Sequence, residues 1–238
     1  MIAFESVSPP GRSTRDRPAK PALSREAVIG AGLHVLRAEG IDAVTMRRVA
    51  AELDTGPASL YVYVRNRQDL LNQMMDAVAG EIDLGDDPDP ARWREQLVAL
   101  LFRVREAMDR HPGIARVPLA NIPSGPNAVR VAERVLALMR AGDIDDRVSA
   151  WAVDVIFLYV NAAAYEASIY VEERGASREV GEEVRDTLRA QFGALPADEF
   201  PNLVSMLEHL TSGDAGERFA FGLQLMIEGL LHAEPPAA

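Results

Sequence analysis

The sequence predicts an all-α fold, and three observations carry that reading. Apolar residues recur at helical spacing along most of the chain, as at Met46, Val49, Ala50 and Leu53, which puts one apolar stripe on a helix. The segments are punctuated by helix starts and stops, with Ser, Thr, Asn or Asp before a run and Gly or Pro after it. No convincing strand alternation, internal repeat or glycine-rich phosphate loop is found.

Composition narrows the class further. The 238 residues are 48% hydrophobic and 26% charged, as in an ordinary globular protein long enough to bury a substantial core. The absence of cysteine excludes disulfides, thiolate zinc sites and cysteine nucleophiles. His34, His111, His209 and His232 are too far apart for metal-ligand spacing, so no metal or cofactor is expected.

The net charge of −11 at first argues against a nucleic-acid partner. It is unevenly placed. Residues 1–67 hold ten Lys/Arg against seven Asp/Glu, a balance of +3, whereas residues 68–238 hold fifteen against twenty-nine, a balance of −14. A local basic footprint at one end fits DNA docking by that end.

Taken in order, residues 1–22 are rich in Pro, Ser and Arg and read as a flexible basic arm. Its Arg12, Arg15, Arg17 and Lys20 have two readings, a solvated tail or a follower of the DNA backbone. Ser24 caps a first helix whose apolar face runs through Val28, Ala31, Val35 and Leu36 and stops at Gly40. Thr45 caps a second helix. Asp54-Thr55-Gly56-Pro57 breaks it, with Gly56 suited to positive φ and Pro57 to the first position of the next helix. Ala58 to Tyr63 is too short to be stable alone and must be held by its neighbours. Two short helices about a tight turn have the shape of a helix-turn-helix, whose second helix enters the major groove. Asn66 caps a fourth helix, with Asp69 in a capping-box-like position, running to about Ile82.

The domains expected are the helix-turn-helix unit at 23–83, an acidic linker at 84–90, and a larger helical bundle at 91–232 before a 233–238 tail. Within the bundle the predicted helices are Trp93–Arg110, Ile114–Ile122, Asn127–Ala141, Asp145 to about Glu173, Arg178–Phe192, Pro196–Leu210 interrupted by Pro201, and Ala215–His232. No apolar run precedes Leu23, so no secretory signal is expected. The apolar stretch Ala150–Val171 contains Asp154, Asn161, Glu166 and Ser168 and reads as a core helix, not a membrane span. A cytoplasmic location with no membrane partner follows as the expectation.

The segment from Leu23 to about Ile82 resembles the tetracycline-repressor (TetR) family of bacterial transcription regulators. The resemblance rests on Arg37-Ala38-Glu39-Gly40 ending the first helix, and on the run VTMRRVAAELDTGPASLYVYVRNRQDLL at its spacing from it. More loosely, HPGIARV, SGPNAVRVAERVL and RFAFGLQLMIEGL are similar to the C-terminal domain of regulators close to the tetracycline repressor. The sequence departs at Asp54, where Gly is common, and at Arg67, which replaces a frequent Lys. The resemblance implies a homodimer that binds a pseudo-palindromic operator on double-stranded DNA and releases it when a small-molecule effector enters the bundle. Repression is the family's usual mode.

It further implies Arg47 as a base contact, Pro57, Ser59, Tyr61 and Tyr63 on or beside the recognition helix, and Arg67 on phosphate. The residue chemistry agrees in kind: arginine pairs bidentately with guanine, while hydroxyls and helix N-termini hold phosphate. Thr45, Arg48 and Asn66 complete the candidate DNA-binding set. Arg48 is equally a solvated helix residue, and packing between helices is the competing reading for Tyr61 and Tyr63. Leu60 and Val64 face the three-helix core.

In the bundle, Asp154, Leu158, Asn161, Tyr165 and Ser168 share one face of an otherwise apolar helix. Buried polar groups need partners, in the protein or in a ligand. A cavity lined by these residues with Phe102, Arg105, Met139 and Phe157 would suit a mostly apolar effector; a satisfied core network or a dimer contact is the alternative. The last helix carries Phe219, Leu223, Met226, Ile227 and Leu230, with Gly222 and Gly229 a heptad apart. The resemblance puts this helix, with the long one, in the dimer interface; core packing competes. An enzyme has no support in the sequence, since no nucleophile motif, paired histidines or phosphate loop is present. A helical sensor that works through protein contacts is the other alternative.

Overall fold

The computed structural model describes residues 23–120, 124–174 and 178–233. The expected arm at 1–22 lies outside the described residues, as do Ile122 and Pro123 and all but Ala233 of the expected tail. Among the described residues the fold is wholly helical, with twelve α-helices and no strand.

The N-terminal unit comprises α1 (Arg25–Glu39), a 3-10 turn (Ile41–Ala43), α2 (Met46–Glu52), α3 (Pro57–Leu60) and α4 (Arg67–Gly80). Three side-chain caps start its longer helices. Ser24 Oγ accepts from Ala27 N at 3.1 Å, Thr45 Oγ1 from Arg48 N at 3.1 Å, and Asn66 Oδ1 from Asp69 N at 2.9 Å. Each stabilises its helix by about 1 kcal/mol. Asp69 differs from a capping box by one residue: its carboxylate accepts from Arg65 N at 2.8 Å. The buried faces of Val28, Val35, Leu36, Val49, Leu70 and Met74 meet in one core, closed by Leu60 of α3 and by Val64 beyond it.

The turn between α2 and α3 corrects one expectation. Positive φ falls on Asp54 (50°), while Gly56 sits at −82°. Asp tolerates the left-handed region better than most side chains, because its short polar group can bond locally. This position is where the resemblance expects Gly.

The C-terminal bundle contains α5 (Trp93–Asp109), α6 (Arg116–Ala120), α7 (Pro126–Ala141), α8 (Asp146–Arg174), α9 (Arg178–Gly193), α10 (Pro201–Ser205), α11 (Leu207–Leu210) and α12 (Ala215–His232). Helices α5, α7, α8 and α12 form its centre. By length and composition α8 would pass as a membrane span, but it packs sideways against α5, α6, α7 and α12. The single helix expected over Pro196–Leu210 is a turn followed by two short helices, since Pro201 opens α10 at its first position instead of interrupting a longer run. The acidic segment at 84–90 is fastened down: Gln96 donates to Asp87 O and accepts from Asp89 N, and Arg134 donates to Asp86 O.

One further expectation changes at α12. Phe219 and Leu223 are 2% and 0% exposed within one chain, so they cannot be its contacts to a second copy. Phe219 is held by stacking on Tyr159 at 5.5 Å, edge contact with Phe102 at 5.0 Å, and the Arg105 guanidinium 4.7 Å from its centroid. Gly222 leaves room for the Tyr159 ring of α8, which a Cβ there would strike. Met226 and Leu230 are half-buried on the same inward side, whereas Gly229 faces open space.

Candidate DNA-binding and ligand-binding sites

The helix-turn-helix presents one open surface. On it lie Arg47 of α2, Pro57 and Ala58 at the start of α3, and Tyr61 and Val62 just beyond, with Val62 79% exposed. Arg47 is exposed and has no partner among the described residues, so its guanidinium is free to reach a base edge. Ala58 and Val62 were not singled out from the sequence. Their signal is Val62 itself, a β-branched apolar residue between two tyrosines that the core does not take up.

The other candidate DNA contacts have work inside the fold. Arg48 is forked between Glu39 (2.6 Å) and Glu52 (2.8 Å), and that ion pair holds the Glu39 carboxyl below the usual range. Arg67 donates to Val44 O at 2.6 Å and Ile41 O at 2.8 Å, pinning α4 to the turn before α2. The Tyr63 hydroxyl donates to Leu23 O, and Ser59 accepts from Thr55 Oγ1 at 3.3 Å. Thr45 and Asn66 are the two caps already described. Exposed Arg65 was not named from the sequence; it pairs with Asp69 at 3.0 Å and lowers the pKa of that carboxyl.

Helix α4 carries the unit into the bundle. Asp76, on its bundle side, caps α7: its Oδ1 accepts from Asn127 N and Ala128 N, both at 3.0 Å, and Asn127 returns a bond to Asp76 O at 3.1 Å. Gly125 is required at the contact, because a Cβ there would lie 2.2 Å from the Asp76 carboxyl. A second tie gathers the C-terminal ends of α1, α4 and α5. His111 is buried, with Nε2 3.0 Å from Glu81 Oε1 and Nδ1 3.3 Å from Arg37 Nη1. Since Arg37 can only donate, Nδ1 accepts and Nε2–H donates to Glu81. Arg116 of α6 adds an exposed pair to Asp42 at 3.2 Å.

Beside this junction lies a cavity of about 620 Å³, within the roughly 300–1,000 Å³ of small-molecule pockets. Its walls are Met75 and Ala79 of α4 with Ile82 just beyond it, Val104 of α5, Pro118 and Leu119 of α6, then Ala128, Val131 and Ala132 of α7. Helix α8 supplies the remainder, including Asp154, Phe157, Leu158 and Asn161. Those four were expected from the sequence. Phe102, Arg105, Met139 and Tyr165 do not line it: the first two clamp Phe219, Met139 is fully buried, and Tyr165 packs against the core from further along α8. Ser168 is satisfied within the helix by donating to Tyr165 O at 2.7 Å. The α4, α6 and α7 walls were missed, because small and aliphatic residues at helical spacing look identical whether they face a core or a hollow.

Residues 28–74 match the family described as bacterial regulatory proteins, tetR family. Residues 87–233, more than half of the chain, match the tetracyclin repressor-like C-terminal domain. The chain belongs to the TetR family. Membership makes it a helix-turn-helix transcriptional regulator that binds DNA, and not an enzyme. Among its TetR-family relatives is the HTH-type transcriptional repressor DrrR1 of Streptomyces coeruleorubidus, 35% identical over 222 residues covering 90% of this chain and 79% of that one. The tetracycline repressor protein class C of Escherichia coli is 25% identical over 87% of this chain and 90% of that one. ActR of Streptomyces coelicolor, solved in complex with actinorhodin, superposes with a TM-score of 0.80 at 37% identity, covering 92% of this chain and all of that one.

Proposed function

We propose that this TetR-family protein is an effector-released repressor that binds a pseudo-palindromic operator as a homodimer in the cytoplasm. The observation that carries the reading is that α4 belongs to both sites: it leaves the helix-turn-helix at Asn66 and forms one wall of the cavity through Met75 and Ala79. Its Asp76 caps α7, which forms the facing wall. An effector that spreads these walls tilts α4 and, with it, the recognition helix. The relatives support both ends of the scheme, one being a repressor and another having been solved with a small molecule bound.

Arg47 reads a base edge, while Pro57, Ala58, Tyr61 and Val62 form the surface around it. Tyr63, Arg48 and Arg67 set the angle of that surface from inside the fold. The homodimer forms through α8 and α12, using their outward faces. Trp151 and Val155 on α8 and Phe221 and Leu225 on α12 are each more than half exposed, an apolar surface that monomers rarely leave uncovered. Dimerisation fixes the two recognition helices about 34 Å apart, one turn of DNA.

The test is binding to the DNA flanking the protein's own gene, followed by footprinting. A protected pseudo-palindrome whose affinity falls steeply with salt supports the reading. Salt-insensitive binding, or protection without two-fold symmetry, would remove it.

A further inference from the structure

Resting on the reading of the cavity as the effector site, we infer that its ligand is an amphiphilic organic cation, an apolar body carrying a protonated amine. Most of the wall is aliphatic, with Phe157 the aromatic surface against which a ring can lie. Two side chains break that apolar lining. Asn161 is only 8% exposed, faces the cavity, and has no hydrogen-bond partner among the described residues. Its amide opens onto the hollow, where it is available to a carbonyl or hydroxyl of a ligand. Asp154 lines the same hollow near the outward face of α8 and likewise has no partner among the described residues.

The balance of charge then selects the ligand. No Lys, Arg or His is among the described lining residues, so a bound anion would meet one carboxylate and no countercharge. A cation pairs with Asp154, and the pair strengthens as the ligand displaces water from the apolar walls. Spacing adds a shape constraint. Asp154 and Asn161 are seven residues apart on one helix, hence on one face and separated by about 10 Å along its axis. The ligand therefore carries its amine at one end and a carbonyl or hydroxyl for Asn161 about that far away, with the apolar body turned toward α4 and α7.

Three fluorescent dyes test this on the full-length protein: rhodamine 6G as cation, Nile red as neutral probe and fluorescein as anion. Rhodamine 6G should bind most tightly and fluorescein least. Asp154→Asn should weaken rhodamine 6G by up to about fivefold, the worth of an ion pair at an exposed carboxylate, and leave Nile red unchanged. Operator binding by the dye-free variant reports that it is folded. Ala132→Trp, which fills the hollow from α7, should abolish binding of every dye that enters it. If fluorescein or Nile red binds better than rhodamine 6G and Ala132→Trp abolishes that binding, the cavity stands and the cation assignment falls. If Ala132→Trp changes no dye's binding, the cavity is not the effector site and the underlying reading falls with it.

Discussion

The two ends of α4 sit in contrasting surroundings. Around its N-terminus the polar groups are paired within the protein: Asn66 caps, Asp69 holds Arg65, Arg67 grips two carbonyls, and Arg48 is forked between two carboxylates. Around its C-terminal half the helix faces a hollow in which Asp154 and Asn161 have no partner among the described residues. The first arrangement gives a template with little freedom, suited to presenting Arg47 and Tyr61 at a fixed angle. The second offers accessible polar groups in an apolar wall, which a ligand can use to shift an equilibrium by differential affinity. A rigid surface at one end of a helix and a hollow at the other are what let one element serve as a lever.

The largest expected effect comes from removing what holds two such levers together. Val155→Glu with Phe221→Glu places carboxylates on the outward faces of α8 and α12 and should give a monomer in analytical ultracentrifugation. Operator affinity should drop about hundredfold or more, because the second half-site no longer binds intramolecularly. A dimer that persists would place the interface elsewhere.

Next in size is Arg47→Ala, which tests whether the free arginine reads sequence. Loss of a bidentate guanine contact should cost about 1–3 kcal/mol and relax preference at one operator position, with an unchanged melting temperature. Unaltered affinity in a fluorescence-anisotropy titration would remove Arg47 from the readout.

Asp76→Ala acts at the border of the two surroundings. It uncaps α7, at a cost of about 1 kcal/mol of stability. Operator affinity should stay near that of the parent, while the effector concentration needed for release rises. If release is unaffected, α7 is not the transmitting element.

The smallest effect belongs to the satisfied end. The Asp69 pKa is lowered, first by its bond with Arg65, so its contribution is present at neutral pH and lost as pH falls through the depressed folded value. Asp69→Asn should therefore lower stability at pH 7 by up to about 1 kcal/mol. In urea titrations the gap between variant and parent should hold down to the ordinary carboxylate range and close below it.

The reader half was largely legible from sequence, since caps, breakers and periodicity are local signals. Ser24, Thr45, Pro57 and Asn66 each do at close range what their residue type suggests. What sequence could not give was long-range pairing. Nothing near Arg67 indicates that its guanidinium reaches back to Ile41 and Val44, and nothing near Phe219 indicates that Arg105 lies over its ring. For the same reason the sequence leaves core packing and dimer contact as competing readings for the apolar stripe of α12. Two faces of that helix are apolar, and only packing against Phe102 and Tyr159 decides which one turns inward. The cavity was half legible, because polar residues on an apolar helix stand out while its aliphatic walls do not.

The Asp76 cap also bears on how such regulators can be recombined. A helix terminus that one half of the chain supplies and the other half needs is a shared part, and shared parts resist cutting. A chimaera joined at the acidic segment, 84–90, would keep Asp76 with the reader and lose Gly125 and Asn127 with the replaced sensor. Unless the incoming α7 also begins with a glycine at the contact and a free N–H beyond it, the graft inherits two working halves and no hinge between them. Exchange breakpoints that keep specificity and response together should fall before Asn66, leaving α4 with the sensor it actuates.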